Sequence, residues 1–422
     1  MAIEALYVHI PFCEKRCFYC DFVTEAIGKH KNAHEQYRRY ANAIAKELIA
    51  YHQADPATLR NVKTVYLGGG TPSVLGESLS IIFDALDKTL DVSQLTEFTV
   101  EANPESFDQS LINLLIDAKV TRVSLGVQSL SDQHLKRLGR IHNAAQAIRA
   151  LTLAIDAGLL VSADLMCALP EQTTDELTAD INALVSLGVG HISVYPLTIE
   201  PQTYFDTLVQ RGVLKEPDDE MAAAHMLAAE DVLAAQGFER YEVANYSKRG
   251  EYAQHNSAYW KGVSYLGLGT GAASMFNPGD FPEVLLPALT QAAQAAGIFD
   301  ETLAISTLAN KRIRFANSSH GIDSSSIEFL SPRESDAEDL MLGMRCKTGI
   351  PQSQFLAFIE RFASNRDEAR AMQSSIDRLI ERQLIETTSL DGAMRLTPTT
   401  LGWLCGNEIY GTMWDLRMPR SN

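Results

Sequence analysis

Tyr7-Val8-His9-Ile10-Pro11-Phe12-Cys13-Glu14-Lys15-Arg16-Cys17-Phe18-Tyr19-Cys20-Asp21-Phe22 carries three of the chain's six cysteines within eight residues, directly after an apolar, strand-like run. The gaps between them are three residues and then two. Thiolates this close can grip three corners of one inorganic cluster. A four-iron cluster held by only three cysteines keeps one iron with an open coordination position, and that iron is where chemistry would take place.

Two other readings of the cysteines must be set beside this. Disulfides belong to even frameworks in short secreted chains, which this is not. A structural zinc site prefers paired Cys-x-x-Cys knuckles and a fourth ligand nearby. His9 and His30 flank the stretch, so a zinc-binding structural protein stays open on these residues alone. The spacing Cys-x3-Cys-x2-Cys, with an aromatic residue just before the last cysteine, resembles the signature of the radical S-adenosylmethionine (SAM) superfamily.

The whole chain bounds the problem. At 422 residues, with 46% apolar residues, it has material for a large core and for more than one domain. No run of about 18 uncharged apolar residues occurs, so no membrane-spanning helix is expected. The start, Met1-Ala2-Ile3-Glu4, lacks a basic leader and a cleavage site, and cysteine usage is low, so a reducing cytoplasm is expected. A formal net charge of −17, from 36 basic and 53 acidic residues, repels phosphate backbones and argues against nucleic-acid binding.

Outward from the cysteines the pattern alternates. The strand around Leu6 is followed by helical spacing over Tyr37 to Tyr51, then by a β-branched run from Val62 to Leu67 ending in Gly68-Gly69-Gly70-Thr71-Pro72. Strands are expected at 96–100, 120–127, 159–165 and 191–195, with helices at 76–90, 109–118, 144–157 and 174–187 between them. Six strands alternating with helices imply a parallel sheet with right-handed crossovers. Cys13, Gly69, Glu101, Gln128, Asp164 and Pro196 all stand toward the C-terminal ends of those strands. That rim is where a βα barrel builds its active site. The expected fold is therefore α/β, a partial (β/α)6 barrel over residues 1–200.

Beyond residue 200 the alternation stops. A long helix is expected at 218–236, and His255-Asn256-Ser257-Ala258-Tyr259-Trp260 reads as extended or looped. Tyr265 to Gly271 reads as a glycine-punctuated strand or loop. Residues 277–335 are the least readable, with a helical stretch at 288–296; residues 201–335 are taken as a connecting region. From 336 to 422 the chain reads as a small, mostly helical domain with a two-stranded wing at Leu384–Glu386 and Met394–Thr397. It resembles a winged-helix module, whose usual DNA role the acidic charge disfavours.

Stretch by stretch, the chain resembles the coproporphyrinogen III dehydrogenase-like branch of radical SAM proteins, the HemN and HemW group. The matching stretches are Tyr-x-His-Ile-Pro-Phe-Cys at 7–13, Gly-Gly-Gly-Thr-Pro at 68–72, Glu-Ala-Asn-Pro at 101–104, Gly-Val-Gln-Ser at 126–129 and Asp-Leu-Met-x-x-Leu-Pro at 164–170. The resemblance implies a 4Fe-4S cluster on Cys13, Cys17 and Cys20. It implies SAM contacts from Tyr7, Gly69, Glu101, Gln128, Arg140 and Asp164, with Tyr19, Gly70 and Thr71 part of a second SAM site.

Two departures from the oxidase pattern direct the reading. The oxygen-independent oxidase has a further cysteine where this chain has Phe22. His255-Asn256-x-x-Tyr259-Trp260 matches the His-Asn-x-x-Tyr-Trp of the haem-binding branch, which implies haem contacts from His255, Tyr259 and Trp260. A histidine suits iron, and the aromatic rings suit a flat macrocycle. The loop after Gly269 also differs, reading Gly271-Ala272-Ala273 where the group carries Gly-Ala-His. The expected function is that of a haem chaperone, with acceptor haem proteins, membrane-bound ones among them, as partners. The alternative is oxidative decarboxylation of coproporphyrinogen III.

Overall fold

The computed structural model describes residues 3–28, 30–297 and 310–419. Its centre is a run of parallel strands: β1 Ala5–Ile10, β2 Thr64–Gly69, β3 Glu97–Ala102, β4 Arg122–Gln128, β5 Leu160–Cys167 and β6 His191–Pro196, each paired in parallel with the next. Helices at Ala33–Ala54, Leu79–Thr89, Gln109–Asp117, Ala144–Asp156 and Thr174–Leu187 return the chain between them. Their starts are written locally. Asn143 with Gln146, and Thr173 with Glu176, form reciprocal capping boxes.

Residues along these strands alternate in a way that buried parallel strands usually do not. One face is apolar: Leu6, Val8 and Ile10 on β1, Val65 and Leu67 on β2, Phe98 and Val100 on β3, Val123, Leu125 and Val127 on β4 all join the main core under the helices. The opposite face is polar, with Thr64 and Tyr66, Glu97, Thr99 and Glu101, Arg122, Ser124 and Gln128, Ser162 and Asp164, and His191 and Ser193. Period-two alternation puts these groups together inside the curve of the sheet. The concave side is thus a lined chamber rather than a packed core.

A seventh parallel strand completes the array. Tyr265–Leu268 pairs in parallel with β1, with Tyr7 opposite Gly267. The six strands expected from the sequence are all present, and the stretch read as a strand or loop at 265–271 supplies this seventh, whose partner lies some 260 residues away. Antiparallel strands Ala273–Phe276, Arg312–Ser318 and Glu328–Leu330 extend that edge, and Asn245–Ser247 and Glu239–Arg240 extend the edge at β6. The stretch 277–335 therefore holds strands as well as the helix Leu286–Ala295. Its part from 298 to 309 lies outside the described residues.

His255 to Trp260 also differs from the extended or looped form expected of it. Gln254–Trp260 is a short helix, started by the Glu97 carboxylate, which accepts from the backbone N–H of Gln254 at 2.9 Å and of His255 at 3.0 Å. A side chain 157 residues away in sequence caps it, so no local signal announces it. Glu97 is in turn paired with Arg122 at 3.0 Å, both side chains 2% exposed. Arg122 also donates to Ser162 Oγ and to the Glu251 carbonyl. This fully partnered buried pair closes the bottom of the chamber.

From 337 to 416 a second core forms around Leu340, Phe355, Ile376, Leu396 and Ile409. Helices surround a three-stranded sheet in which Ile350–Pro351 joins the hairpin Ile385–Leu390 and Ala393–Pro398. Two arginines clamp this unit to the barrel. Arg345 lies 5.2 Å from the Trp260 ring and 4.4 Å from that of Tyr410, and Arg240 lies 4.5 Å from Trp403.

Candidate functional site

The three thiols sit where β1 leaves the sheet. Cys13 ends a two-residue strand, Phe12–Cys13, that pairs with Glu25–Ala26, so the loop carrying Cys17 and Cys20 is pinned at both ends. Phe18 fastens its middle through backbone bonds to Leu138 and Phe205. Among the described residues no three His, Cys, Asp or Glu side chains converge closely enough to hold one metal ion. The thiols instead line a cavity of about 140 Å³, together with Tyr19, Gly69, Gly70, Thr71, Glu101, Asn103, Gln128, Arg140 and Asp164.

The thiols are held by a chain of polar side chains. Thr71 Oγ1 donates to Cys13 Sγ at 3.5 Å, and the Asn103 amide donates to Thr71 Oγ1 at 2.9 Å. Arg140 reaches Asn103 Oδ1 at 2.5 Å, the Gly126 carbonyl at 2.8 Å and Cys17 Sγ at 3.4 Å. Burial pushes the Cys13 thiol up to about 11, while the Thr71 hydroxyl and the Arg140 charge favour the thiolate. Gly70 completes the cradle: a Cβ there would lie 2.6 Å from the Phe12 carbonyl and 3.0 Å from Cys13 Sγ. Three thiols around a space kept clear of side chains, beside a fixed cation, fit an anionic iron–sulfur cluster.

Next to the thiols stand two carboxyl groups. Tyr66 donates to Glu101 Oε1 at 2.7 Å, and the Gly69 N–H donates to Glu101 Oε2 at 3.0 Å. Gly69 makes that bond with φ of +114°, where a Cβ would sit 2.5 Å from the His9 ring. Ser124 donates to Asp164 Oδ2 at 3.4 Å. Burial, with repulsion from Asp164, raises Glu101 to about 7; burial raises Asp164 to about 6. Gln128, at the same rim, holds φ of +65°, a strained value for a side chain of its kind.

Below this rim the space continues as a cavity of about 290 Å³, walled by Tyr66, Ser124, Asp164 and Ser193 and floored by Arg122, His191 and Asn256. Its lip is apolar: Phe22, 63% exposed, and Tyr195, 41% exposed, with Met166 beside them.

The structure thus gathers the three cysteines with Tyr19, Gly69, Gly70, Thr71, Glu101, Gln128, Arg140 and Asp164. Tyr7 stands one layer back, its hydroxyl 3.0 Å from His9 Nδ1 and its ring against Tyr66, and lines neither cavity. His255, Tyr259 and Trp260 lie at the chamber's floor. His255 is fully buried, with Nδ1 2.9 Å from Thr64 Oγ1 and Nε2 2.9 Å from the Tyr259 hydroxyl. Both ring nitrogens are engaged by these hydroxyls. Trp260 donates to Glu242 Oε2 at 2.8 Å, and its ring faces Arg345 rather than a slot for a macrocycle. Asn103 and Tyr66 are among the site residues that sequence reasoning missed, as are Ser124 and Tyr195. The quoted Glu-Ala-Asn-Pro stretch contained the first; nothing local marked the second.

A curved parallel sheet with a three-cysteine loop over its C-terminal rim is the architecture of a radical SAM protein, and the radical SAM superfamily profile matches residues 7–184. The chain is 31% identical over 412 residues to the Heme chaperone HemW of Bacillus subtilis, covering 97% of this chain and 98% of that one. It is 38% identical over 270 residues to the Heme chaperone HemW of Escherichia coli, covering 64% of this chain and 69% of that one. The chain belongs to the HemW family of radical SAM proteins. The solved coproporphyrinogen III oxidase (HemN) of Escherichia coli superposes with a TM-score of 0.72 over 98% of this chain and 90% of that one, at 16% identity, a likeness of fold. The cofactors of this superfamily are a 4Fe-4S cluster and SAM.

Proposed function

We propose that the protein is a haem chaperone: it binds haem in a state set by its cluster and SAM, and delivers it to acceptor haem proteins. The observation that carries this reading is similarity over nearly the full length to a protein named for that role. Cys13, Cys17 and Cys20 hold the cluster, which when bound supplies one-electron reducing chemistry beside SAM. Arg140 offsets the cluster's charge, and Asn103 and Thr71 keep the thiols in register. Glu101 and Asp164 would face the positive charge of SAM, and Gln128 would be placed to bond its hydroxyls. Tyr19 and the Gly69–Thr71 turn close the site around it.

Haem would find an apolar surface at the lip. Phe22 and Tyr195 expose flat faces there, within the wall that also carries Met166. Phe22 stands where the oxidase pattern has a cysteine, so this chain offers a stacking surface at that point and no thiol. No described helix is long and apolar enough to cross a membrane.

The test pairs two assays on the anaerobically reconstituted protein. Transfer of bound haem to an apo-acceptor, with no protoporphyrinogen formed from coproporphyrinogen III, is the expected result. Formation of protoporphyrinogen at catalytic turnover would replace this reading with the oxidase.

A further inference from the structure

The His255 helix has no partner in the function just described, yet the His255 ring reaches the cofactor site by resting against Tyr66. The His255 imidazole is locked by hydroxyls at both nitrogens, 2.9 Å on each side. A neutral imidazole offers one donor and one acceptor, and each hydroxyl can play either part, so both bonds are satisfied. Its face lies against Tyr66, with centroids 5.1 Å apart and planes 28° apart. Tyr66 is a long lever: where its ring is pressed decides where its hydroxyl falls. That hydroxyl is 2.7 Å from Glu101 Oε1.

The other supports of Tyr66 are weaker. Tyr7 approaches its ring at 6.1 Å, tilted by 31°. His255, by contrast, rests on a helix whose first two N–H groups are tied to the buried Glu97 carboxylate, itself paired with Arg122. The firmest wall behind Tyr66 is therefore His255.

We propose that His255 is a positioning residue for the SAM site: its ring sets Tyr66, and Tyr66 sets the Glu101 carboxylate. The proposal rests on the assignment of Glu101 to SAM. It gives the His-Asn-x-x-Tyr-Trp segment a task in holding the cofactor, in place of a bond to haem iron.

Equilibrium dialysis of SAM against the full-length, cluster-reconstituted protein tests it. Glu101→Gln tests the underlying assignment; if it binds SAM as the unmodified protein does, assignment and proposal both fall. With Glu101→Gln impaired, His255→Ala and Tyr66→Phe should each weaken SAM about tenfold, the usual effect of losing a hydrogen bond to a charged group. The double variant should lose no more than either single one, because both act through one contact. Unchanged affinity in folded His255→Ala, or losses that multiply to about a hundredfold, would overturn the proposal. Should His255→Ala fail to fold, His255→Phe keeps a flat face against Tyr66 and His255→Leu does not. Near-normal SAM binding by the Phe variant alone supports the proposal; equal binding by both overturns it.

Discussion

The Tyr66 hydroxyl donates a hydrogen bond to Glu101 Oε1 at 2.7 Å, in the wall between the two cavities. With the Gly69 N–H on its other oxygen, the Glu101 carboxyl is fixed in one orientation while burial and Asp164 keep its pKa at about 7. A site with one carboxyl near 7 and another near 6 is poised to ionise when a cation arrives.

SAM affinity should therefore depend on pH. A bound ammonium lowers the pKa of a nearby carboxyl, so binding favours the deprotonated pair and releases protons. Affinity should rise between about pH 5.5 and 7.5 and level off above, in line with Glu101 at about 7 and Asp164 at about 6. Calorimetry in buffers of different ionisation heat measures the protons released. A flat profile over that range would rule out these carboxyls as the cation's partners.

Cys20→Ala should remove the visible cluster absorbance after reconstitution, with far-ultraviolet circular dichroism unchanged, since Cys20 sits on a loop and in none of the three hydrophobic clusters. Asn103→Ala should do less: the thiols remain, but Thr71 and Arg140 lose their shared partner. The expected outcome is a cluster that forms and is lost faster to chelator. Equal chelation rates in Asn103→Ala and the unmodified protein would show that this network does not support the thiols.

Glu97→Gln should be costly. It leaves Arg122 buried without its counter-charge and weakens the cap on the Gln254–Trp260 helix. Breaking a buried pair from one side costs about 3–5 kcal/mol. A loss of that size in the unfolding free energy from urea melts, with SAM binding impaired as the floor loosens, is expected. A loss under about 1 kcal/mol would mean the pair is solvated like a surface one.

Acid should destabilise the protein through its buried histidines. Burial holds His191 and His255 neutral, each at about 3, whereas the unfolded chain protonates them near 6.5. The unfolded state then binds more protons at these two sites below that pH, so their contribution to stability is full above about 6.5 and is lost as pH drops toward 3. Urea midpoints at pH 7.5, 6 and 5 measure the slope, and His191→Phe should reduce it. An unchanged slope in that variant would place the acid sensitivity elsewhere.

What could be read from the sequence and what could not divide along the distance between partners. The cysteine loop depends on covalent spacing, and the βα units on local periodicity, so both are plain along the chain. The polar lumen is written in the alternation of Glu97-Phe98-Thr99-Val100-Glu101 and of Arg122-Val123-Ser124-Leu125. The strand Tyr265–Leu268 and the helix Gln254–Trp260 are different: one is made by pairing with β1 and the other by a cap from Glu97. His255 illustrates the cost. As a residue type it suits iron; only its bonds to Thr64 and Tyr259 reveal that both its nitrogens are engaged.

The central claim is that haem is taken up at the aromatic lip and not by the His255 helix. Haem titration, followed by the Soret band, on the reconstituted protein and on Phe22→Ala and His255→Phe tests it most directly. Loss of one stacking face should weaken haem about five- to tenfold in Phe22→Ala, given the worth of a buried aromatic contact, while His255→Phe binds as the unmodified protein does. Normal binding by Phe22→Ala with loss in His255→Phe would contradict the account.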